Sequence, residues 1–273
     1  MNSFYQVDIP AESQDEKDIL IARLDVLGFE GYEETRNVLR AFIPESSADE
    51  AAIRVMMEDI GLTYTISLVP QRNWNAEWEA GFRPVVVDEF CAIRASFHEP
   101  VEGVQHEIII TPKMSFGTGH HATTYMMVEA MRDIEFTSKS VIDFGTGTGI
   151  LSILAEKLGA AAIEAVDCDD WSIENAKENI MQNACARIGL YKADSIDGLK
   201  QAHIVLANIN RNIILQHFKS ITEKITNGGL VVFSGLLSGD FDEISDVAQN
   251  EYQLTLLKKN ERSNWICLVY GRY

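Results

Sequence analysis

An alternating run of glycines follows an acidic residue in the segment VIDFGTGTGILS, and a second acid ends the next apolar run. The glycines occupy Gly145–Gly149, the first acid is Asp143, and the second is Asp167. Glycines at a turn let the backbone approach a ligand closely. An acid at the tip of the following strand can accept hydrogen bonds from both hydroxyls of a ribose. This combination predicts a site for a cofactor that contains a nucleoside.

The spacing of these glycines argues against a nicotinamide cofactor. The fingerprint of dinucleotide-binding folds is G-x-G-x-x-G, and Ile150 stands where its last glycine would fall. The pattern here is G-x-G-x-G with an acid in front, and with its strand, helix and second acid it resembles the class I methyltransferases, which bind S-adenosylmethionine. A nicotinamide enzyme and a cofactor-free sheet protein with a glycine-rich turn are the alternatives.

A polar residue lies at the end of another predicted strand. Asn208 follows the apolar run HIVLA, and its side-chain amide offers a donor and an acceptor to a ligand above the sheet. An Asx turn that ends the strand is the alternative interpretation. The position of Asn208, in line with Gly145 and Asp167 at the strand tips, favours a binding role.

A second FGTG sequence, in SFGTGHHATT, has a different context. It precedes a predicted helix and no acid follows at the ribose spacing, so the two segments are not an internal repeat. We expect a lid over the cofactor, with the hydroxyls of Thr123 and Thr124 near its carboxylate or sulfur end, and N-capping of the helix is the alternative role. His120 and His121 predict no metal site, because neighbouring side chains point apart and no ligand spacing accompanies them.

The elements that must position these residues follow from the periodicity. From residue 112 to 273, short apolar runs (VIDFG, IEAVD, IVLANI, LVVFSG) alternate with helical segments. That alternation predicts an α/β domain with a doubly wound, mostly parallel sheet, in which ligands bind at the carboxyl ends of the strands. Residues 70–111 are predicted to be a connector and leading strands, and Trp74 and Trp78 in it are expected to pack against a flanking domain.

Residues 1–69 predict a separate small domain. Their order is β-α-β-β-α-β, the ferredoxin-like α+β plan, which by itself does not specify a function. Gly28 stands where the first helix should stop, and Ser47 is the expected N-cap of the second.

Composition limits the class of protein. The chain has 273 residues, of which 46% are hydrophobic and 23% charged, which is typical of a globular protein with one large and one small domain. Four scattered cysteines, no membrane-length apolar run and no basic-apolar leader predict a reduced, cytoplasmic protein without membrane segments. The net charge of −18 disfavours tight nucleic-acid binding and suits a basic partner, although solubility alone explains it equally well. We expect a monomer.

Several segments together resemble one family. In order they are SFGTGHHATT, VIDFGTGTGILS, AVDCDDWSIENAKENI, LANI, GGLVVFSGLL and WICLVYGR. They resemble the PrmA family, bacterial methyltransferases of large-subunit ribosomal protein eleven, which carry a small ferredoxin-like N-terminal domain that recognises the ribosomal protein. The resemblance implies S-adenosylmethionine as cofactor, and we assign the cofactor contacts to Thr124, Gly145, Gly147, Asp167 and Asn208. Where the family usually has threonine and proline, this chain has His120 and Ala122.

The resemblance implies methyl transfer to an amine, either a lysine ε-amine or an N-terminal α-amine. The amine must lose its proton first, and desolvation in an apolar slot lowers its pKa. We expect Phe116 and Asn208 to line that slot and assign no catalytic base. A class I methyltransferase with another protein or a small-molecule acceptor is the first alternative, and a non-enzymatic assembly protein is the second.

Overall fold

The computed structural model describes residues 3–69, 82–112 and 119–273. These residues fall into two compact units, of which the second begins at Phe82. Phe116 and the connector with Trp74 and Trp78 lie outside the described residues.

The N-terminal unit follows the predicted β-α-β-β-α-β order. Its elements are β1 (Phe4–Pro10), α1 (Gln14–Val26), β2 (Gly31–Glu34), β3 (Val38–Pro44), α2 (Glu50–Asp59) and β4 (Thr65–Val69). The sheet is antiparallel with the strand order β2-β3-β1-β4. One face of this sheet contributes Val7, Ile9, Leu39, Ala41 and Ile43 to a buried core with α1 and α2.

The helix ends of this unit partly match the prediction. Gly28 comes directly after Leu27, the C-cap of α1, and adopts a φ of 88°, as expected. The predicted cap of α2 was wrong: Asp49 caps it, with its carboxylate accepting from the amides of Ala51 and Ala52 at 3.0 and 3.1 Å. Ser47 instead ends a short 3₁₀ turn after Pro44. The carboxylate of Asp49, two residues later, accepts from two amides of the first helical turn, which have no carbonyl partner within the helix.

The C-terminal unit contains a three-stranded and a seven-stranded sheet. Its first elements are β5 (Val85–Val87), β6 (Cys91–Ala95), β7 (His106–Ile110) and α3 (Ala122–Met131). The remaining elements are β8 (Ser140–Phe144), α4 (Ile150–Lys157), β9 (Ala162–Asp167), α5 (Asp170–Gln182), β10 (Ile188–Lys192), β11 (Ala202–Asn208), α6 (Arg211–Lys224), β12 (Ile225–Leu237), α7 (Phe241–Asp246), β13 (Thr255–Arg262) and β14 (Trp265–Gly271). The sequence pattern did not predict β5, β10, β13 or β14 as strands.

The large sheet has the strand order β10-β9-β8-β11-β12-β14-β13. The first five strands are parallel, and β14 and β13 are antiparallel to their neighbours. The strand order reverses between β8 and β11, so the switch point at which α/β folds bind ligands lies there. Two buried apolar cores include side chains of the sheet, one shared with α3 and α4 and the other with α6 and α7. The predicted doubly wound, mostly parallel sheet is confirmed.

Among the described residues, no helix combines the length and the apolar character that crossing a membrane requires.

Candidate functional site

The turn between β8 and α4 can be built only from glycine at its tightest points. Gly145, Gly147 and Gly149 have φ angles of 77°, 54° and 82°, in the left-handed region that side chains disfavour. A Cβ on Gly145 would also clash with the side chain of Ile209. The turn therefore brings bare backbone to the carboxyl end of β8.

A buried acid holds this turn from beneath. Asp143 is fully buried, and its Oδ2 accepts hydrogen bonds from the hydroxyls of Thr146 and Ser152, both at 2.7 Å. Its Oδ1 has no hydrogen-bond partner among the described residues. Burial raises the pKa of Asp143 to about 6, although the two hydroxyl bonds oppose that shift.

The second predicted acid stands at the end of β9 and is bound to the glycine turn. Asp167 Oδ2 accepts from the amide of Gly147 at 2.8 Å, and its Oδ1 accepts from the amide of Asp169 at 3.1 Å. Each carboxylate oxygen retains further acceptor capacity. Asp167 can therefore position the turn and still accept hydrogen bonds from two hydroxyls of a ligand.

Thr124 and Asn208 meet on the other side of the turn. Both Thr123 and Thr124 are buried in the first turn of α3, and Asn208 Nδ2 donates to Thr124 Oγ1 at 3.4 Å. Asn208 Oδ1 is buried and has no partner among the described residues. A buried amide oxygen without a donor is costly, so a ligand N–H or O–H at this point would stabilise the site.

The alternative role proposed for the threonines, N-capping of α3, was wrong. His121 is the cap, and its Nδ1 accepts from the amide of Thr123 at 3.4 Å and pairs with Thr123 Oγ1 at 2.7 Å. The neighbouring His120 binds the carbonyl of Arg83 through Nε2 at 2.9 Å. Within the described ranges, no group of three or more ionisable side chains could hold a metal ion.

One cavity of about 880 Å³ joins these parts. All five residues assigned to the cofactor line it: Thr124, Gly145, Gly147, Asp167 and Asn208. Its volume lies in the range of roughly 300–1,000 Å³ that small-molecule sites occupy. Their contact with a cofactor stays a prediction.

Several residues of the cavity were missed by the sequence reading. Asp194, just after β10, lines it and carries the same signal as Asp167, an acid after an apolar strand. Gly235 lines it too; its φ is 82°, and an added Cβ would lie 2.7 Å from the carbonyl carbon of Ile209. His217 and Trp265 reach it from α6 and β14, and no local pattern in the sequence marks either of them.

The comparison with known families decides the class of protein. The sequence profile described as "Ribosomal protein L11 methyltransferase (PrmA)" matches residues 7–272. The chain belongs to this family. The resemblance drawn from the motifs is thereby confirmed, and the chain is a class I, S-adenosylmethionine-dependent protein methyltransferase.

Individual relatives are similar in sequence to this protein over most of its length. A ribosomal protein L11 methyltransferase of Porphyromonas gingivalis is 37% identical over 261 residues, which cover 93% of this chain and 90% of the relative. One from Chlorobaculum tepidum is 39% identical over 236 residues, covering 82% and 81%. The crystal structure of the ribosomal protein L11 methylase of Lactobacillus delbrueckii subsp. bulgaricus superposes with a TM-score of 0.65 at 29% identity, covering 70% of this chain and 99% of that one.

The site has the features that S-adenosylmethionine requires. Gly145 and Gly147 line the cavity without side chains of their own, and Asp167 presents a carboxylate that can accept from hydroxyls of a ligand. Among the described residues, the buried Asn208 Oδ1 has no donor. The residues present therefore fit the cofactor of the family.

Proposed function

We propose that this protein transfers methyl groups from S-adenosylmethionine to amino groups of ribosomal protein L11, on lysine side chains, the N-terminus or both. The names of the relatives support the substrate. The observation that carries the chemistry is the buried Asn208 Oδ1 beside Thr124, which has no hydrogen-bond partner among the described residues and lies in the same cavity as the glycine turn and Asp167. An acceptor amine has N–H groups that would satisfy this oxygen.

Residues on different elements would contact different parts of the cofactor. Asp167 would accept from the ribose hydroxyls, and the turn at Gly145 and Gly147 would bring the protein main chain close to the cofactor. Thr124 would face the amino-acid end of the cofactor. S-adenosylmethionine supplies a methyl group on a sulfonium, an electrophile whose sulfur leaves as a neutral thioether. Asp167 is already held by two backbone amides, so it needs little reorganisation to bind a ligand.

The acceptor must arrive as a neutral amine. Free lysine has a pKa of about 10.4, and desolvation in the partly apolar cavity lowers it, so the proton leaves to solvent before transfer. Asn208 Oδ1 would accept one remaining N–H and so orient the nitrogen lone pair toward the methyl carbon. The N–C bond would form as the C–S bond breaks, and positioning of the amine by Asn208 would contribute to the rate. We assign no side chain as a base.

The rest of the chain suits a basic protein substrate. A net charge of −18 would steer a basic ribosomal protein toward the enzyme. We propose that residues 1–69 recognise it, that 70–111 form the connector and leading strands, and that 112–273 carry out the transfer. The protein would act as a cytoplasmic monomer without tight nucleic-acid binding.

The decisive experiment uses ribosomal protein L11 purified from a strain that lacks this gene. With S-adenosylmethionine and the enzyme, intact-protein mass spectrometry should show L11 gaining mass in steps of one CH₂ unit. An unchanged L11 mass, with the cofactor still bound in calorimetry, would move the assignment to another acceptor.

A deletion tests the role of the N-terminal unit. A variant without residues 1–69 should bind S-adenosylmethionine with unchanged Kd, which also shows that the remainder is folded. Its methylation of L11 should fall by about 100-fold or more, because docking is lost. Full activity of this variant would refute the recognition role.

A further inference from the structure

Three asparagines of α5 and its C-terminal cap follow one another at the spacing of a helix face. They are Asn175, Asn179 and Asn183. Four residues of helix advance by about 6.0 Å, and two residues of strand advance by about 6.6 Å. Because these distances nearly match, asparagines at this spacing can reach alternate residues of a strand that lies along the helix.

The strand that they reach is β7, at the edge of the three-stranded sheet. Asn183 accepts from the amide of Ile109 at 3.0 Å and donates to the carbonyl of Ile109 at 2.6 Å. Asn179 accepts from the amide of Thr111 at 2.8 Å, and Asn175 donates to the carbonyl of Thr111 at 3.0 Å. The side chains of α5 therefore pair with the backbone at the end of β7 as a neighbouring strand would.

Asn179 also reaches the glycine turn of the cavity. Its Nδ2 donates to the carbonyl of Thr148 at 2.8 Å, and Thr148 lies between Gly147 and Gly149 in the turn. Asn179 and Thr148 are both fully buried, where a lost hydrogen bond is not replaced by water. One side-chain amide therefore joins the glycine turn to the end of β7.

The three-stranded sheet in turn supports the start of α3. Gly119 lies so close to β6 that an added Cβ would be 2.8 Å from the side chain of Ile93. Ile93 is paired with Ile108 of β7. His121, two residues after Gly119, caps the first turn of α3, which carries Thr124. The sheet therefore lies between the end of β7 and the helix turn that lines the cavity.

We propose that Asn179 is a positioning residue for methyl transfer. Through the Thr148 carbonyl it fixes the glycine turn, and through the Thr111 amide it fixes the sheet that supports Thr124. Two walls of the cavity are thereby held in one geometry. Asn179 acts through these backbone groups, since it is not among the described residues that line the cavity. The inference rests on the cofactor contacts proposed for the glycine turn and Thr124.

The first test compares Asn179→Ala with the matched control Asn183→Ala. Both asparagines hold β7, but Asn183 bonds Ile109 and the carbonyl of Asn179 rather than the glycine turn. Asn179→Ala should raise the Kd for S-adenosylmethionine in calorimetry about fivefold or more. It should lower kcat for L11 about tenfold, while KM for L11 stays within about twofold. Asn183→Ala should leave all three constants within about twofold of wild type. Equal Kd values in the two variants would overturn the inference.

An isosteric variant keeps the inference testable if the alanine variant does not fold. In Asn179→Asp, the carboxylate still accepts from Thr111 but repels the carbonyl of Thr148, whereas the protonated carboxyl can donate to that carbonyl. Burial raises the pKa of such a carboxyl. The ratio of its Kd for S-adenosylmethionine to the wild-type Kd should therefore fall toward one as the pH is lowered from about 8 to about 5. The ratio for Asn183→Asp should stay near one, and a pH-independent ratio for Asn179→Asp would refute the positioning role.

Each Kd is compared with wild type at the same pH, so that the titration of shared groups cancels. These groups include Asp143 beneath the turn and Glu178, whose carboxylate accepts from the Thr111 hydroxyl at 3.0 Å. The Kd for the cofactor does not depend on L11, which separates this inference from the proposed substrate. If wild type leaves L11 unmodified while the pattern of Kd values holds, the substrate assignment fails and the role of Asn179 stands.

Discussion

The two sides of the cavity are built in opposite ways. The side with the glycine turn and the proposed ribose acceptor, here called the cofactor side, comes from one continuous stretch, Asp143 to Asp167. Its contacts are between close neighbours in sequence or across adjacent strands. The other side, here called the acceptor side, also holds the cofactor contacts proposed for Thr124 and Asn208, and it combines the start of α3 with the ends of β11, β12 and β14. One glycine turn and its backbone amides shape the first side, whereas segments far apart in sequence shape the second.

The two sides meet at one residue. Ile209 touches the turn at Gly145 through its side chain and approaches Gly235 through its backbone. A side chain can rotate away from a new methyl group, but a peptide unit between β11 and α6 cannot. Replacing glycine by alanine should therefore lower the free energy of unfolding by different amounts on the two sides.

The largest difference is expected between Gly235→Ala and Gly145→Ala. Both positions have left-handed φ angles, of 82° and 77°, so both variants carry backbone strain. Only Gly235→Ala also drives a Cβ into the Ile209 peptide. We expect it to lower the free energy of unfolding by about 4 kcal/mol, against about 1–2 kcal/mol for Gly145→Ala. Urea unfolding followed by circular dichroism measures both, and equal losses would contradict the assignment of Ile209 as a rigid junction.

The buried acid of the cofactor side makes stability depend on pH. The pKa of Asp143 is raised from 3.8 to about 6 by burial, with a smaller contribution from the charge of Asp167. Between those values the folded protein binds a proton that the unfolded chain does not, so its stability falls as pH rises through this window, by at most about 3 kcal/mol. The difference in unfolding free energy between wild type and Asp143→Asn, measured from pH 3.5 to 7, should show this fall. A difference independent of pH would show that Asp143 is not perturbed.

Asn208→Ala should weaken both methyl transfer and cofactor binding, because Asn208 is assigned to both. Removing the amide, whose oxygen has no partner among the described residues, and its bond to Thr124 should lower kcat for L11 about 100-fold and raise the Kd for S-adenosylmethionine about threefold. Single-turnover methylation and calorimetry measure the two effects. A loss of cofactor affinity as large as the loss of rate would show that Asn208 serves the cofactor alone and does not orient the acceptor.

Asp167→Ala should show the reverse pattern. Loss of the ribose acceptor and of the bond to the Gly147 amide should weaken S-adenosylmethionine binding about tenfold or more. The control is Asp170→Ala, an exposed acid of α5 paired with Lys192 at 2.6 Å, which should leave the Kd unchanged. Unaltered affinity in Asp167→Ala would refute the ribose assignment.

Local signals account for what the sequence predicted well. The glycine turn, Asp167 and the β-α-β-β-α-β order each depend on short-range rules, and each was found where expected. The cap of α2 failed because Pro44 is followed by a 3₁₀ turn that moves the helix start from Ser47 to Asp49. The capping role considered for the threonines at the start of α3 was wrong because a ring nitrogen of His121 accepts the hydrogen bond that a hydroxyl usually accepts.

By itself, the sequence determined the fold class, the cofactor and the residues of the glycine turn, because backbone conformation and strand-end acids follow from residue type and spacing. Only the tertiary structure decided that Asn208 lies beside Thr124, that Gly235 approaches Ile209, and that Trp265 lines the cavity. These contacts depend on the strand order β8-β11-β12-β14. No periodicity within a single segment encodes such a meeting of distant side chains.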